Sequence, residues 1–147
     1  MTEAAKPSRK AGIVLLAAAL AVPAEGVRRV AYYDPPGILT VCYGSTTNVI
    51  KGRVYTLDEC KARLDSDMLA AVTVVERCAP GLPVKVAAAF SDAVYNIGPT
   101  IACSVNGSTA ARLLGAKQFV AACNQLPRWN KAKIAGVAMP LPGLTKR

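Results

Sequence analysis

Two carboxylates, Glu25 and Asp34, are the residues of this chain best placed to do chemistry. The 147 residues include no histidine, which excludes Ser-His-Asp and Cys-His nucleophilic sites and removes the commonest metal ligand. Five of the nine acids fall in one amphipathic segment, residues 58–76, and Glu3 and Asp92 lie in a basic leader and an apolar stretch. By elimination, Glu25 and Asp34 are the candidates for acid and base catalysis.

The two carboxylates flank a sharp turn. Residues 35–37, Pro-Pro-Gly, separate apolar β-forming residues at 31–33 and 38–41, which predicts a β-hairpin. Thr40 lies on its second predicted strand. Two carboxyl groups and a hydroxyl around such a hairpin are suited to acid-catalysed cleavage of a bond between sugars.

The elements that must position these residues are predicted from local patterns. Pro23 suits a first helical position, so a helix bearing Glu25 is predicted from Pro23 to about Ala31. Thr56 and Glu59 form a capping box that starts a helix ending near Cys78.

Further along the chain, an apolar stripe from Val86 to Ile97 predicts a helix ending near Gly98-Pro99. Gly115 splits the next stretch into two short helices, with Ser108 as N-cap of the first. The second is predicted to be lined by Phe119, Val120, Cys123 and Leu126. With a third short strand near Arg53–Tyr55, the fold class is α+β, mainly α.

Residues 1–24 form a basic and then apolar leader. Lys6, Arg9 and Lys10 precede the apolar run 11–24, as in the first two regions of a signal peptide. The run is shorter than the roughly 20 residues that span a membrane. Three alternatives remain open: a temporary membrane tether, a signal cleaved after residues 22–24, and an ordinary buried N-terminal helix.

The net charge of +9 calls for an anionic partner. Nucleic acid, anionic lipid and the bacterial wall all qualify. Aromatic residues are sparse and no nucleic-acid-binding module is recognisable, so no nucleic-acid partner is expected.

The five cysteines lack the close spacing of a zinc site, so no metal and no cofactor is expected. Their number favours an oxidising compartment over buried free thiols in a cytosolic protein. Proximity along the chain pairs Cys42 with Cys60 and Cys78 with Cys103, which leaves Cys123 without a partner.

Several motifs together resemble the phage-type lysozymes, glycoside hydrolase family twenty-four. The resemblance begins at Glu25-Gly26 and continues with Tyr95-Asn96-Ile97-Gly98, covering about residues 25–147. It also rests on residues placed as in that family: Tyr33-Asp34, Gly37, Thr40, Tyr43-Gly44, Arg128-Trp129 and Pro142-Gly143-Leu144.

The resemblance implies a lysozyme-like two-lobe fold and a catalytic role for three residues. Glu25 would be the general acid, Asp34 would stay ionised, and Thr40 would hold the attacking water. The family acts with inversion, which predicts carboxyl groups about 6.5–9.5 Å apart. Tyr43, Gly44 and Asn96 would contact substrate.

Each of these residues also has a plainer interpretation. Glu25 could be an ordinary exposed helix residue, Asp34 could simply cap the turn, and Thr40 could be an ordinary strand residue. Tyr43 and Asn96 are as readily structural, and Trp129 is more readily a core residue than a cleft residue.

For the whole protein, the resemblance implies an endolysin muramidase of residues 25–147, lacking the family's last helix. It would cut peptidoglycan between N-acetylmuramic acid and N-acetylglucosamine. Residues 1–24 would be a signal-anchor-release segment, so the protein would be exported to the periplasm, tethered transiently to the inner membrane through residues 11–24, and act as a monomer. The alternatives are a non-catalytic wall-binding or scaffold domain, and a basic membrane-active peptide fused to a stable domain.

Overall fold

The computed structural model of the chain describes residues 8–129, 131–134 and 137–140, with side chains for 8–22 and 26–129. Within these residues the fold is mainly helical, as predicted, with two small antiparallel sheets of two strands each. The sheet near the N-terminus is the predicted one. In chain order the elements are α1 (Arg9–Glu25), β1 (Arg28–Tyr33), β2 (Leu39–Cys42), α2 (Leu57–Cys78), α3 (Val84–Ile97), α4 (Thr100–Cys103), α5 (Thr109–Gly115), α6 (Phe119–Cys123), a 3-10 helix (Leu126–Trp129), β3 (Lys131–Ile134) and β4 (Val137–Pro140).

The N-terminal helix differs from the one predicted. The Ser8 hydroxyl caps its first turn by accepting from the Ala11 amide, and the helix continues to Glu25. It ends there because Gly26 takes a positive φ of 67°. The prediction of a helix from Pro23 to about Ala31 is therefore wrong, because residues 28–33 form strand β1 and pair with β2.

Helix α1 packs into the helical part of the fold. Ile13, Ala17 and Ala21 are fully buried against α2 and α3. At its start, Arg9 forms an ion pair with Glu76 at 3.0 Å and donates to the Leu82 carbonyl. Among the described residues, no helix is long and apolar enough to cross a membrane.

Strands β1 and β2 form the predicted hairpin. Tyr32 pairs with Thr40 and Tyr33 with Leu39, and the register shifts closer to Arg28. The third strand predicted near Arg53–Tyr55 is reduced to one bridge between Val30 and Val54. The chain turns there toward the cap at Thr56, which leaves no length for a longer ladder.

Helix α2 begins with the predicted capping box. The Thr56 hydroxyl accepts from the Glu59 amide, and the Glu59 carboxylate accepts from the Thr56 amide. The Thr56 backbone hydrogen bond is the largest cause that holds the pKa of Glu59 below its usual value. Helix α3 ends at Ile97, as predicted, where Gly98 takes a φ of 88°.

Two hydrophobic cores separate the fold into two parts. The larger is built from α1 to α6 and includes Leu64, Met68 and Phe90. The smaller lies beneath the hairpin, where Val41 and Tyr55 pack with Cys42 and Cys60. Helix α2 contributes to both cores and joins them.

Helices α5 and α6 follow the prediction with one exception, whereas α4 and the 3-10 helix were not predicted. Gly115 ends α5, and the Ser108 hydroxyl caps its start by accepting from the Ala111 amide. Val120 does not line the core as expected; it is 78% exposed, and Ala122 is buried instead. A five-residue helix buries only one side. Trp129 is half-buried against the larger core.

The structure forms disulfides between Cys42 and Cys60 and between Cys78 and Cys103. These are the pairs predicted from sequence. Cys123 is a half-buried free thiol, and burial raises its pKa. The predicted motif at residues 142–147 and the leader's residues 1–7 lie outside the described residues.

Candidate active site

The end of α1 places Glu25 at the junction between the helical part and the hairpin. Glu25 is the last residue of the helix, and the Gly26 amide donates to the Val22 carbonyl at 3.2 Å before β1 begins at Arg28. The Glu25 side chain is not among those described. The predicted separation of the two carboxyl groups therefore stays a prediction.

Asp34 and Thr40 are brought together by the backbone of Ile38. The Asp34 carboxylate accepts from the Ile38 amide at 2.7 Å, and the Asp34 amide donates to the Ile38 carbonyl at 3.0 Å. The Thr40 hydroxyl donates to the same carbonyl at 2.9 Å. The backbone amide and carbonyl of one residue, Ile38, thus orient two of the three predicted catalytic residues.

These hydrogen bonds determine which donors and acceptors of the two side chains remain available to water or substrate. Because the Thr40 hydroxyl uses its proton on Ile38, its lone pairs can accept a hydrogen bond from another donor, such as water. Thr40 is only 3% exposed, which leaves no surface for a sugar ring to lie on. Asp34 is half-buried and engages the Ile38 amide through one oxygen, Oδ1.

The predicted substrate-contacting residues Tyr43 and Gly44 lie just past β2, beside helix α3. The Tyr95 hydroxyl donates to the Tyr43 carbonyl at 2.6 Å. Gly44 has a φ of 101°, and a Cβ built on it would lie 3.4 Å from the Tyr95 hydroxyl. This position favours glycine because of its backbone conformation.

Asn96, also predicted to contact substrate, lies next to Tyr95 on α3. Its side-chain amide donates to the Asp92 carbonyl at 2.7 Å and to the Asp92 carboxylate at 3.2 Å. The donors of Asn96 are therefore directed along its own helix in this conformation. A role in substrate binding stays a prediction.

Arg63 organises the loop between β2 and α2, and the sequence did not single it out. Its guanidinium donates to the Ser45 hydroxyl and to the Thr47 and Asn48 carbonyls at 2.6–3.1 Å, and it stacks over the Tyr55 ring at 4.9 Å. A basic residue in an amphipathic helix is ordinarily solvated, so the sequence contains no signal for these contacts.

Asp67 lies one turn beyond Arg63 on α2 and belongs to the same network. Its partial burial raises its pKa, although the Ser45 hydrogen bond and the Arg63 charge act in the opposite direction. Arg63 and Asp67 are half-buried on the helix side, and Ser45 is buried on the loop side. The hydrogen bonds of Arg63 attach the loop that follows Tyr43 and Gly44 to α2.

A pocket of about 120 Å³ lies elsewhere, in the helical part between α1, α3, α4 and the 3-10 helix. Its lining is mainly apolar and contains none of the predicted catalytic or substrate-contacting residues: Leu20, Ala89, Asp92, Ala93, Ile97, Ile101, Leu126 and Trp129. Among the described residues, no group of three acidic or cysteine side chains is arranged to hold a metal ion.

Comparison with known proteins identifies the chain's relatives. It is 38% identical over 113 residues to the SAR-endolysin of Bacteriophage PS119, covering 74% of this chain and 64% of that protein. The chain thus spans somewhat less than two thirds of that relative's length. It is 33% identical over 145 residues to the SAR-endolysin of Pseudomonas phage phiKMV, covering 97% and 86% of the two chains.

Two solved structures share the fold. The active form of the P1 phage endolysin Lyz superposes with a TM-score of 0.72 at 23% identity, covering 98% of this chain and 90% of the other. The endolysin from Escherichia coli O157:H7 phage FAHEc1 gives a TM-score of 0.70 at 25% identity, covering 99% and 90%. The protein-family model described as "Phage lysozyme" matches residues 23–147. Because that match spans most of the chain, the chain belongs to the phage lysozyme family.

Proposed function

We propose that this protein is an endolysin muramidase that lyses the host cell. It hydrolyses the β-1,4 bond between N-acetylmuramic acid and N-acetylglucosamine in bacterial peptidoglycan. Membership of the phage lysozyme family and relatives named endolysins support this function. The observation that carries it is the backbone of Ile38, whose amide and carbonyl orient Asp34 and Thr40 on a hairpin that follows Glu25 directly.

In this mechanism Glu25 acts as the general acid. It transfers its proton to the glycosidic oxygen as the bond from that oxygen to the anomeric carbon breaks. The anomeric carbon gains positive charge, which the Asp34 carboxylate stabilises. Water attacks from the opposite face, held by the Thr40 hydroxyl, and releases its proton toward Asp34. The configuration at the anomeric carbon is inverted.

The free lone pairs of the Thr40 hydroxyl support this assignment. A hydroxyl that donates to Ile38 can only accept from the attacking water, so the lone pairs of that water point away from Thr40 and are free to attack. The burial of Thr40 suits a contact with water better than one with a sugar. Tyr43, Gly44 and Asn96 line the neighbouring part of the substrate path.

The leader is assigned a role in export. We propose that residues 11–24 tether the exported protein transiently to the inner membrane, and that it acts in the periplasm as a monomer. The described helix α1, with Ile13, Ala17 and Ala21 buried against α2 and α3, would then be the released form. The net charge of +9 favours association with the anionic wall.

The substitution Glu25→Gln tests the catalytic assignment. It removes the transferable proton while keeping the size of the side chain, so hydrolysis of purified peptidoglycan should slow at least about 100-fold. The measurement is the release of reducing sugar ends. Glu59→Gln is the matched control, because glutamine also completes a capping box, and its rate should equal that of the parent.

Three outcomes of this experiment separate the alternatives. Equal rates for Glu25→Gln and the parent would exclude Glu25 as the acid. A parent that binds peptidoglycan but releases no reducing ends would instead be a non-catalytic wall-binding domain. In an active parent, NMR of the fresh product should show the α-anomer first if the reaction inverts configuration.

A further inference from the structure

The end of β2 is held between helices α2 and α3. On one side, the disulfide between Cys42 and Cys60 attaches it to α2. On the other, the Tyr95 hydroxyl of α3 donates to the Tyr43 carbonyl at 2.6 Å, across 52 positions of the chain. The hydrogen bond joins the hairpin to the helical part of the fold.

The backbone conformation at this point makes the hydrogen bond significant. Cys42 has a φ of 63° and Gly44 a φ of 101°, so the chain bends sharply on both sides of Tyr43. Cys42 is a non-glycine residue in the left-handed region, a conformation that costs energy and persists only where other contacts hold it. Local backbone hydrogen bonds to the Val41 carbonyl and the hydrogen bond from the Tyr95 hydroxyl both hold this bend.

We propose that Tyr95 is a positioning residue for the reaction. Its hydroxyl holds the end of β2 against α3. It thereby holds Thr40, three residues before Tyr43, in place relative to the helical part of the fold, where helix α1 ends in Glu25. This proposal rests on the proposed function. It concerns the hydroxyl of Tyr95, which contacts the backbone of Tyr43 and acts through it on the reacting groups.

The substitution Tyr95→Phe removes this hydroxyl and keeps the ring. The Tyr43 carbonyl is only half-buried, so water can replace the lost donor and the protein should remain folded. The end of β2 should then move more freely. Because catalysis is sensitive to misplacement by about 1 Å, we expect kcat on purified peptidoglycan to fall about 5- to 20-fold, with KM changed less than about twofold.

Ser91→Ala is the matched control. Ser91 lies on the same helix, is fully buried, and donates to the Ala87 carbonyl within α3, so the variant also loses one hydroxyl hydrogen bond. It does not touch the hairpin and should keep the parent's kcat. A fall in kcat for Tyr95→Phe alone supports the proposal. An unchanged kcat, a change in KM alone, or an equal loss in both variants would overturn it.

Hydrogen exchange provides a readout that does not need activity. The amides of Gly44 and Ser45 both donate to the Val41 carbonyl, at 3.2 and 2.8 Å, and so report on this bend. Tyr95→Phe should make them exchange at least about tenfold faster, while Ser91→Ala should not. If the parent failed to cut peptidoglycan, the proposed function would be wrong. The role of Tyr95 in holding the bend would then be decided by hydrogen exchange alone, and equal exchange rates in Tyr95→Phe and the parent would overturn it.

Discussion

At the scale of single residues, the backbone of Ile38 determines the orientation of the proposed catalytic side chains. Its amide binds the Asp34 carboxylate, and its carbonyl accepts from both Asp34 and Thr40. The side chain of Ile38 is half exposed and takes no part in this arrangement. The chemistry therefore depends on the shape of the turn, which Pro35-Pro36-Gly37 provides.

The pair Thr40→Val and Thr40→Ser tests the hydroxyl. Valine keeps the branched shape and removes the hydroxyl, so hydrolysis should fall about 10- to 100-fold, in the range expected when a group that positions a reactant is lost. Serine keeps the hydroxyl and should stay within about threefold of the parent. The measurement is the initial rate of release of reducing ends.

Folding is the control for this pair. The Ile38 carbonyl keeps its bond from the Asp34 amide, so valine should cost only about 1 kcal/mol of unfolding free energy. If the valine variant were as active as the serine variant, Thr40 would be an ordinary strand residue.

At the scale of elements, helix α1 has two faces that serve different surroundings. The inner face carries small and branched residues, Ile13, Ala17 and Ala21, which let α1 approach α2 and α3 closely. The outer face keeps apolar residues in contact with solvent, among them Leu15, which is 70% exposed. Exposed apolar residues are unfavourable in water, and a short, Ala-rich helix is only mildly favourable in lipid. Both environments are therefore marginal for α1, as a segment that exchanges between them would need.

Ala17→Leu and Ala19→Leu distinguish the two faces. Both add the same apolar volume, but Ala17 is fully buried and Ala19 is exposed. Leucine at position 17 should lower the unfolding free energy by about 1–3 kcal/mol because it overpacks the interface with α2 and α3. Leucine at 19 should change it by less than about 0.5 kcal/mol. Urea denaturation measures both.

Fractionation of expressing cells extends this test to the proposed tether. Both variants gain equal hydrophobicity, but only Ala17→Leu loses stability in the released, folded form. The Ala17 variant should therefore remain with the inner membrane more than the Ala19 variant. Equal partitioning of the two variants would contradict a role for α1 packing in release.

At the scale of the whole molecule, helix α2 connects the two cores, and a disulfide attaches it to each of them. Helix α2 runs from the hairpin core to the helical core, and each of its ends carries a disulfide: Cys60 to β2 and Cys78 to α4. The first bond joins the hairpin to α2. The second closes a loop that contains α3, which carries Tyr95 and Asn96.

Removing the second bond should destabilise the molecule without touching the site. The double variant Cys78→Ser with Cys103→Ser should lose about 2–4 kcal/mol of unfolding free energy, because its unfolded chain is no longer restricted. Cys123→Ser is the control, since Cys123 forms no disulfide and is only half-buried. Equal denaturation midpoints for the double variant and the control would show that the bond contributes nothing.

Local patterns predicted much of this fold because their causes are local. The capping box at Thr56, the break at Gly115 and the hairpin around Pro35-Pro36-Gly37 each depend on residues within a few positions of one another. Cys42 and Cys60 are 18 positions apart, and chain proximity was enough to pair them. The type and order of most elements follow from such short-range preferences.

Only the tertiary structure decided where α1 ends, which face of it is buried, and how the hairpin meets α3. The sequence of the apolar run 11–24 left a signal peptide, a tether and a packed helix open, and contact with α2 and α3 is what buries one face of it here. The bond from Tyr95 to Tyr43 joins residues 52 positions apart. Such contacts form between surfaces that exist only once the chain has folded, so no local pattern encodes them.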